Sequence, residues 1–150
     1  MLEALAEAKT AAALGEVPVG AVVVVDGVCI ARAGNRVEEM RDASCHAEML
    51  CLKEAAAQLG RWRLQGATLY TTLEPCAMCA GAMISSRIDR LVWGAPDLRQ
   101  GADGSFIELL EKKHPIHNFP ITKGVLVEAS AELLRTFFLQ KRCSKMAGVL

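Results

Sequence analysis

His46, Glu48, Cys76 and Cys79 are the residues of this chain whose types and spacing fit them to act together. On a helix, residues three apart share a face, so Cys76 and Cys79 would present both sulfurs from one turn. Two thiolates and an imidazole suit zinc, a borderline-soft ion that takes four tetrahedral ligands. With only three ligands in view, the fourth position stays open for water, the mark of a catalytic site. Glu48 stands two residues from His46, and positions two apart on a helix diverge by about 200°. Its carboxylate is therefore expected beside the ion and outside its coordination. From there it can take a proton from a water attacking an sp² carbon and later protonate the leaving group.

Cys-x-x-Cys alone would suit a redox pair or a structural zinc equally well. The joint pattern is far more specific: His-x-Glu at one expected helix start, Pro75-Cys76-x-x-Cys79 at another, and a strand between. An N-terminal helix end also stabilises thiolate over thiol. Cys29, Cys45 and Cys51 are expected in the core, Cys143 inert in the tail, and His114 and His117 solvated in a polar loop.

These residues need elements to hold them. Leu2 to Leu14 is an Ala-rich helix stopped by Gly15. Ala21–Val25 and Val28–Ala33 flank Asp26-Gly27, a strong hairpin signal. Gly34–Ser44 reads as loop, His46 to Leu59 as a helix ended by Gly60, and Ala67–Thr72 as a buried strand. Pro75 is expected in the first turn of a helix running to Ser85 or Ser86. Arg90–Trp93 is a strand, Ala95–Gly104 a loop, Ser105–Lys113 a short helix, Gly124–Val127 a strand and Ala129–Arg142 the last helix. Strands alternating with helices predict an α/β domain: a mixed sheet covered on both faces, opened by an antiparallel hairpin, with its last two strands parallel.

The chain has 150 residues, 52% of them apolar, which suits one domain over 1–150 with a real core and excludes disorder and repeat arrays. No apolar run approaches the ~20 residues of a membrane-spanning helix, so no membrane role is expected. Glu3 and Glu7 stand where an export signal needs a basic start. The expected compartment is the reducing cytoplasm, where paired cysteines bind metal or do chemistry. With 17 basic and 17 acidic side chains the net charge is zero, so composition predicts no general nucleic-acid field. The acidic excess lies in residues 1–75 and the basic excess in 76–150. Arg135, Lys141, Arg142 and Lys145 follow the last acid, Glu132, as either a solvated helix face or a short cationic edge for phosphates.

His-x-Glu followed by Pro-Cys-x-x-Cys is the known signature of the zinc deaminases, and at these residues the chain resembles the cytidine/deoxycytidylate deaminase superfamily. Within it the chain is most similar to the bacterial tRNA-specific adenosine deaminases. The likeness runs through Glu16 to Val22, Asn35-Arg36, His46-Ala47-Glu48, Thr72 to Met83, Arg87-Ile88, Gly94-Ala95, Asp97, Gly101 to Ser105 and Phe137-Phe138.

The resemblance implies a three-layer α/β/α fold with a five-stranded mixed sheet, and one zinc per subunit held by His46, Cys76 and Cys79. It implies Glu48 as proton shuttle in the hydrolysis of wobble adenosine to inosine in a tRNA anticodon. Asn35, Ala47, Asp97, Phe138 and Arg142 match substrate-contacting positions, where a flipped base must be read and flanking bases and phosphates held. It also implies a cytoplasmic homodimer, an anticodon stem-loop as partner, and no DNA. Of the Phe137-Phe138 pair one ring is expected to pack inward, since helix neighbours point about 100° apart. The chain departs from the family pattern at Ala43-Ser44-Cys45 before the ligand, at Leu139-Gln140 after the aromatic pair, and in having fewer residues ahead of its first helix. The alternatives are a deaminase of a free base or nucleotide such as guanine or cytosine, and a silent zinc-binding subunit, which should lack Glu48.

Overall fold

A computed structural model describes residues 1–147. Five strands, β1 (Gly20–Val25), β2 (Val28–Gly34), β3 (Ala67–Leu73), β4 (Arg90–Ala95) and β5 (Ile121–Thr122), form one sheet in the order β2-β1-β3-β4-β5. β1 pairs antiparallel with β2 and β3, while β3, β4 and β5 run parallel. The helices are α1 (Leu2–Ala13), α2 (Val37–Met40), α3 (Ala47–Leu59), α4 (Ala77–Ser86) and α5 (Val127–Ala147). α1 and α5 pack together along β1, β3 and β4, and α3 packs with α4 and the sheet, giving the three-layer mixed-sheet fold expected.

The hairpin turn has φ 50° at Asp26 and 78° at Gly27, the paired positive values that match the twist of the flanking strands. β1 carries Ala21 and Val23 into the core against Ala47, Cys51 and Ala55 of α3 and Met83 of α4. Its other face meets α1. A Cβ on Gly20 would stand 2.5 Å from the Ala8 nitrogen. Gly20 and the buried Ala4, Ala8 and Ala11 thus let helix and strand meet backbone to backbone. Beyond its first residue β4 is buried throughout, as expected of an inner parallel strand covered on both sides.

Three elements differ from the sequence expectation. The last strand is Ile121–Thr122, paired with Leu91 and Val92, and not Gly124–Val127. Residues 124–127 make a turn instead, with positive φ at Gly124 and Leu126 and one hydrogen bond from the Val125 N–H to the Trp93 carbonyl at 3.1 Å, and α5 starts at Val127. Ser105–Lys113 is not helical. The N–H groups of Phe106 and Ile107 both donate to the Gly101 carbonyl, and those of Leu109 and Leu110 to Ala102, folding the segment back on its own start. The expected loop before His46 contains the short helix α2.

Candidate active site

The start of β1 and the ends of β2, β3 and β4 meet at one end of the sheet, and a cleft of about 460 Å³ opens there. Its walls include Glu16, Asn35, His46, Glu48, Glu74, Cys76, Asp97 and Phe138. That volume is of the size that takes a nucleoside-sized ligand.

Both helices of one layer begin in this cleft. His46 is the N-cap of α3 and Cys76 the N-cap of α4, each with extended backbone, and Cys79 lies in the first turn of α4. Pro75 therefore precedes the cap and does not lie in the first turn. The cap carbonyls accept the first helical hydrogen bonds, from Leu50 N–H at 3.0 Å and Ala80 N–H at 2.8 Å. Two helix N-termini thus converge where negative charge is favoured.

The His46 Nδ1 lies 3.6 Å from Cys76 Sγ and 3.5 Å from Cys79 Sγ, and the two sulfurs are 3.7 Å apart. Zinc–sulfur bonds of about 2.3 Å and zinc–nitrogen bonds of about 2.0–2.1 Å imply tetrahedral edges of about 3.8 Å between sulfurs and about 3.6 Å between sulfur and nitrogen. The three donors therefore fit one face of a zinc tetrahedron in type and in spacing, and the trio is the metal-capable cluster found among the described residues. A hydrogen bond from Cys79, then the His46 contact, hold the Cys76 thiol down to about 4. The same contact and burial raise the thiol of Cys79, and the Cys76 contact raises the pKa of His46.

Glu48 is 3% exposed and reaches the cleft from the first turn of α3. Burial raises its carboxyl above the ordinary value. Thr71 Oγ1, fully buried on β3, donates to Glu48 Oε1 at 3.1 Å and fixes the carboxylate's direction. This arrangement can hold a proton and release it inside a site screened from bulk water.

Two buried carboxylates that sequence reasoning passed over shape the walls. Glu74 accepts N–H bonds from Asp97 at 3.0 Å, Asp103 at 2.9 Å and Ser105 at 3.2 Å. Together with the bond from Ala102 N–H to the Pro75 carbonyl, it fastens residues 97–105 to the segment carrying Cys76. Asp103 continues the anchorage by accepting from Trp93 Nε1 at 2.7 Å and pairing with Lys123 at 3.2 Å. Glu16 accepts from Asn35 Nδ2 at 3.0 Å and from Glu39 N–H at 2.8 Å. Their only sequence signal is position: a Glu beside a ligand motif, and a Glu before a buried strand.

The remaining candidates divide. Asn35, Asp97 and Phe138 line the cleft. Asp97 Oδ1 also caps its own loop by accepting from Arg99 and Gln100. Phe138 is 41% exposed, while Phe137 packs inward edge-on to it with ring centroids 5.4 Å apart. Ala47 is fully buried and outside the cleft lining, and Arg142 is exposed on α5 away from it. Cys45 and Cys51 are buried, Cys29 half-buried and Cys143 exposed. Neither loop histidine is free in solvent: His114 Nδ1 accepts the Ile116 N–H, and His117 Nε2 meets the Ile88 carbonyl at 2.6 Å. No helix among the described residues is long and apolar enough to cross a membrane.

Residues 1–95 match the family described as the cytidine and deoxycytidylate deaminase zinc-binding region. The chain is 48% identical to a tRNA-specific adenosine deaminase of Bacillus subtilis, over 99% of this chain and 92% of that one. It is 50% identical to a chloroplastic tRNA(adenine(34)) deaminase of Arabidopsis thaliana, over 92% of this chain but 12% of that much longer protein. A structure from a study of A-to-I editing by tRNA:A34 deaminases superposes with a TM-score of 0.86 at 45% identity, covering 89% of this chain and 97% of the other.

Proposed function

The chain belongs to the cytidine and deoxycytidylate deaminase family, and from that premise we propose that it hydrolyses adenosine at wobble position 34 of a tRNA anticodon, releasing inosine and ammonia. The observation that carries the reading is the buried Glu48 carboxylate beside the His46, Cys76 and Cys79 trio in a nucleoside-sized cleft. His46, Cys76 and Cys79 would hold zinc, and zinc supplies a Lewis acid that makes a coordinated water acidic near neutral pH.

Glu48 does the proton work. It takes one proton from the water as the C6–O bond forms and passes it to the purine ring nitrogen. It then takes the second proton from the hydroxyl now on C6 and gives it to the amino group, which leaves as ammonia as the C6–N bond breaks and C6=O forms. Burial, which favours its protonated form, suits it to carry that proton between steps. Thr71 keeps Oε1 in place during the transfer.

The base must leave the anticodon stack to reach this depth. Phe138 at the rim offers a ring on which an unstacked neighbour can lie, and Asp97 and Asn35 line the walls. Ala47 and Arg142 lie outside the cleft lining, so their part in binding rests on the likeness to the family, with Arg142 meeting phosphate from the exposed side of α5. The active form is a homodimer in the cytoplasm, with residues 1–150 acting as one deaminase unit. Exposed Leu98, Phe106 and Ile107, on the segment that walls the cleft, support a second copy covering that side.

The test is nucleoside mass spectrometry after incubation with an anticodon stem-loop bearing wobble adenosine, alongside free adenosine, guanine and cytosine. Inosine from the stem-loop alone is the expected outcome. Product from a free base alone would move the protein to nucleobase deamination.

A further inference from the structure

Asn35 is 6% exposed, yet it forms part of the cleft wall. Its side-chain amide makes one hydrogen bond among the described residues, from Nδ2 to Glu16 Oε2 at 3.0 Å. An ionised carboxylate only accepts, so the end of the amide facing Glu16 has to be the nitrogen. Glu16 is held in turn, because its second oxygen accepts the Glu39 N–H at 2.8 Å. Both carboxylate oxygens are engaged, and the pair is buried.

The consequence falls on the other end of the amide. Asn35 Oδ1 and the second N–H have no partner among the described residues. Asn35 Oδ1, unpaired yet not sealed in, keeps access to solvent, and Asn35 lines both the cleft and a second hollow beside α1. We propose that Glu16 is a positioning residue that sets substrate recognition: it locks the rotation of the Asn35 amide so that the cleft meets a carbonyl acceptor. Ring nitrogens of a purine are acceptors and cannot satisfy Oδ1. The complementary group is an O–H or N–H donor of the bound nucleoside, such as a ribose hydroxyl. Without Glu16 the amide is free to turn and present nitrogen instead, leaving donor against donor. Glu16 does this from outside the reacting atoms, through Asn35.

This inference rests on the nucleoside-deaminase reading, and its test separates the two. Kinetics on the wobble-adenosine stem-loop are measured for wild type, Glu16→Gln, Asn35→Ala and the double variant, with zinc content and thermal midpoint for each. Expected are a roughly three- to tenfold rise in KM for Glu16→Gln, the scale of one lost hydrogen bond, with kcat and zinc content retained. The double variant should have the KM of Asn35→Ala alone, the non-additivity of residues acting in series. Additive effects, an unchanged KM in folded Glu16→Gln, or loss of zinc from it would overturn the proposal. Where Glu16→Gln alone does not fold, adding Asn35→Asp reverses donor and acceptor across the same pair. Regained folding supports the assigned direction of the bond, and no rescue overturns it. If wild type acts on a free base alone, the anticodon reading fails, and the same cycle run on that base still decides what Glu16 does.

Discussion

A Cβ on Gly101 would come within 2.5 Å of Glu74 Cδ and 2.5 Å of the Asp97 carbonyl oxygen, so the cleft-wall loop rests its backbone directly on a buried carboxylate. The Gly101 N–H also donates to that Asp97 carbonyl at 2.8 Å, which leaves the backbone no room to yield. Gly101→Ala is therefore expected to destabilise the fold by about 1–3 kcal/mol, the range of overpacking. For a chain of this length each kcal/mol lowers the unfolding midpoint by about 2–4 °C. Thermal unfolding with parallel zinc analysis checks it, with zinc retained.

The same carboxylate gives the loop a pH dependence. Burial pushes the Glu74 carboxyl up, but hydrogen bonds from Ser105, Asp97 and Asp103 outweigh it, and the folded value lies below the ordinary 4.5. A carboxyl lowered on folding stabilises fully above its unfolded value and loses that contribution as pH falls through the folded one. Wild type should lose this contribution progressively below about pH 4.5. Glu74→Gln, which sets an amide N–H against backbone N–H groups, should cost about 1–3 kcal/mol at neutral pH. Unfolding midpoints from pH 7 to 3 should show the two proteins converging in acid.

Glu48 and Cys79 lie in the same layer but should fail differently. Glu48→Gln keeps zinc and lowers kcat by about 10²–10⁴, the usual worth of a positioned acid–base group. Cys79→Ser loses zinc and, because Cys79 is fully buried in the core cluster, also loses stability. Metal analysis and turnover on each variant separate the roles. Zinc loss from Glu48→Gln would make it a ligand.

Adjacent aromatics on α5 make a sharper contrast. Phe137 is 7% exposed, with Lys141 Nζ 5.3 Å from its ring centroid, and Phe137→Ala should cost about 3–5 kcal/mol of stability. Phe138→Ala should change stability by less than about 1 kcal/mol while raising KM for the stem-loop. Denaturant unfolding beside steady-state kinetics reads both. An unchanged KM for Phe138→Ala would remove it from the substrate surface.

The metal-capable trio of this chain was legible because its signals are local. His46 with Glu48 and Cys76 with Cys79 are short-range pairs at helix starts, each an extended cap residue leading directly into the turn that carries its partner. The Asp26-Gly27 turn, and the expectation that one ring of the aromatic pair packs inward without saying which, were readable for the same reason. What escaped was set by distant partners. Ile121–Thr122 is a strand because Leu91 and Val92 lie beside it, not because two residues announce one. Ser105–Lys113 has a helix-compatible composition, but the carbonyls of Gly101 and Ala102 and the carboxylate of Glu74 take its N–H groups. The roles of Glu16 and Glu74 are invisible for the same reason: each bonds residues about 20 to 30 positions away.

The hairpin turn at Asp26 and Gly27 stands at the opposite end of β1 from Gly20, about 20 Å from the cleft at strand rise. A Cβ built on Gly27 meets no atom within 4 Å, and both turn residues are exposed. This makes the turn a natural graft point. A fluorophore, an affinity peptide or a whole guest domain spliced there would ride on the rim remote from catalysis, with the reaction chamber left clear for a bulky polynucleotide.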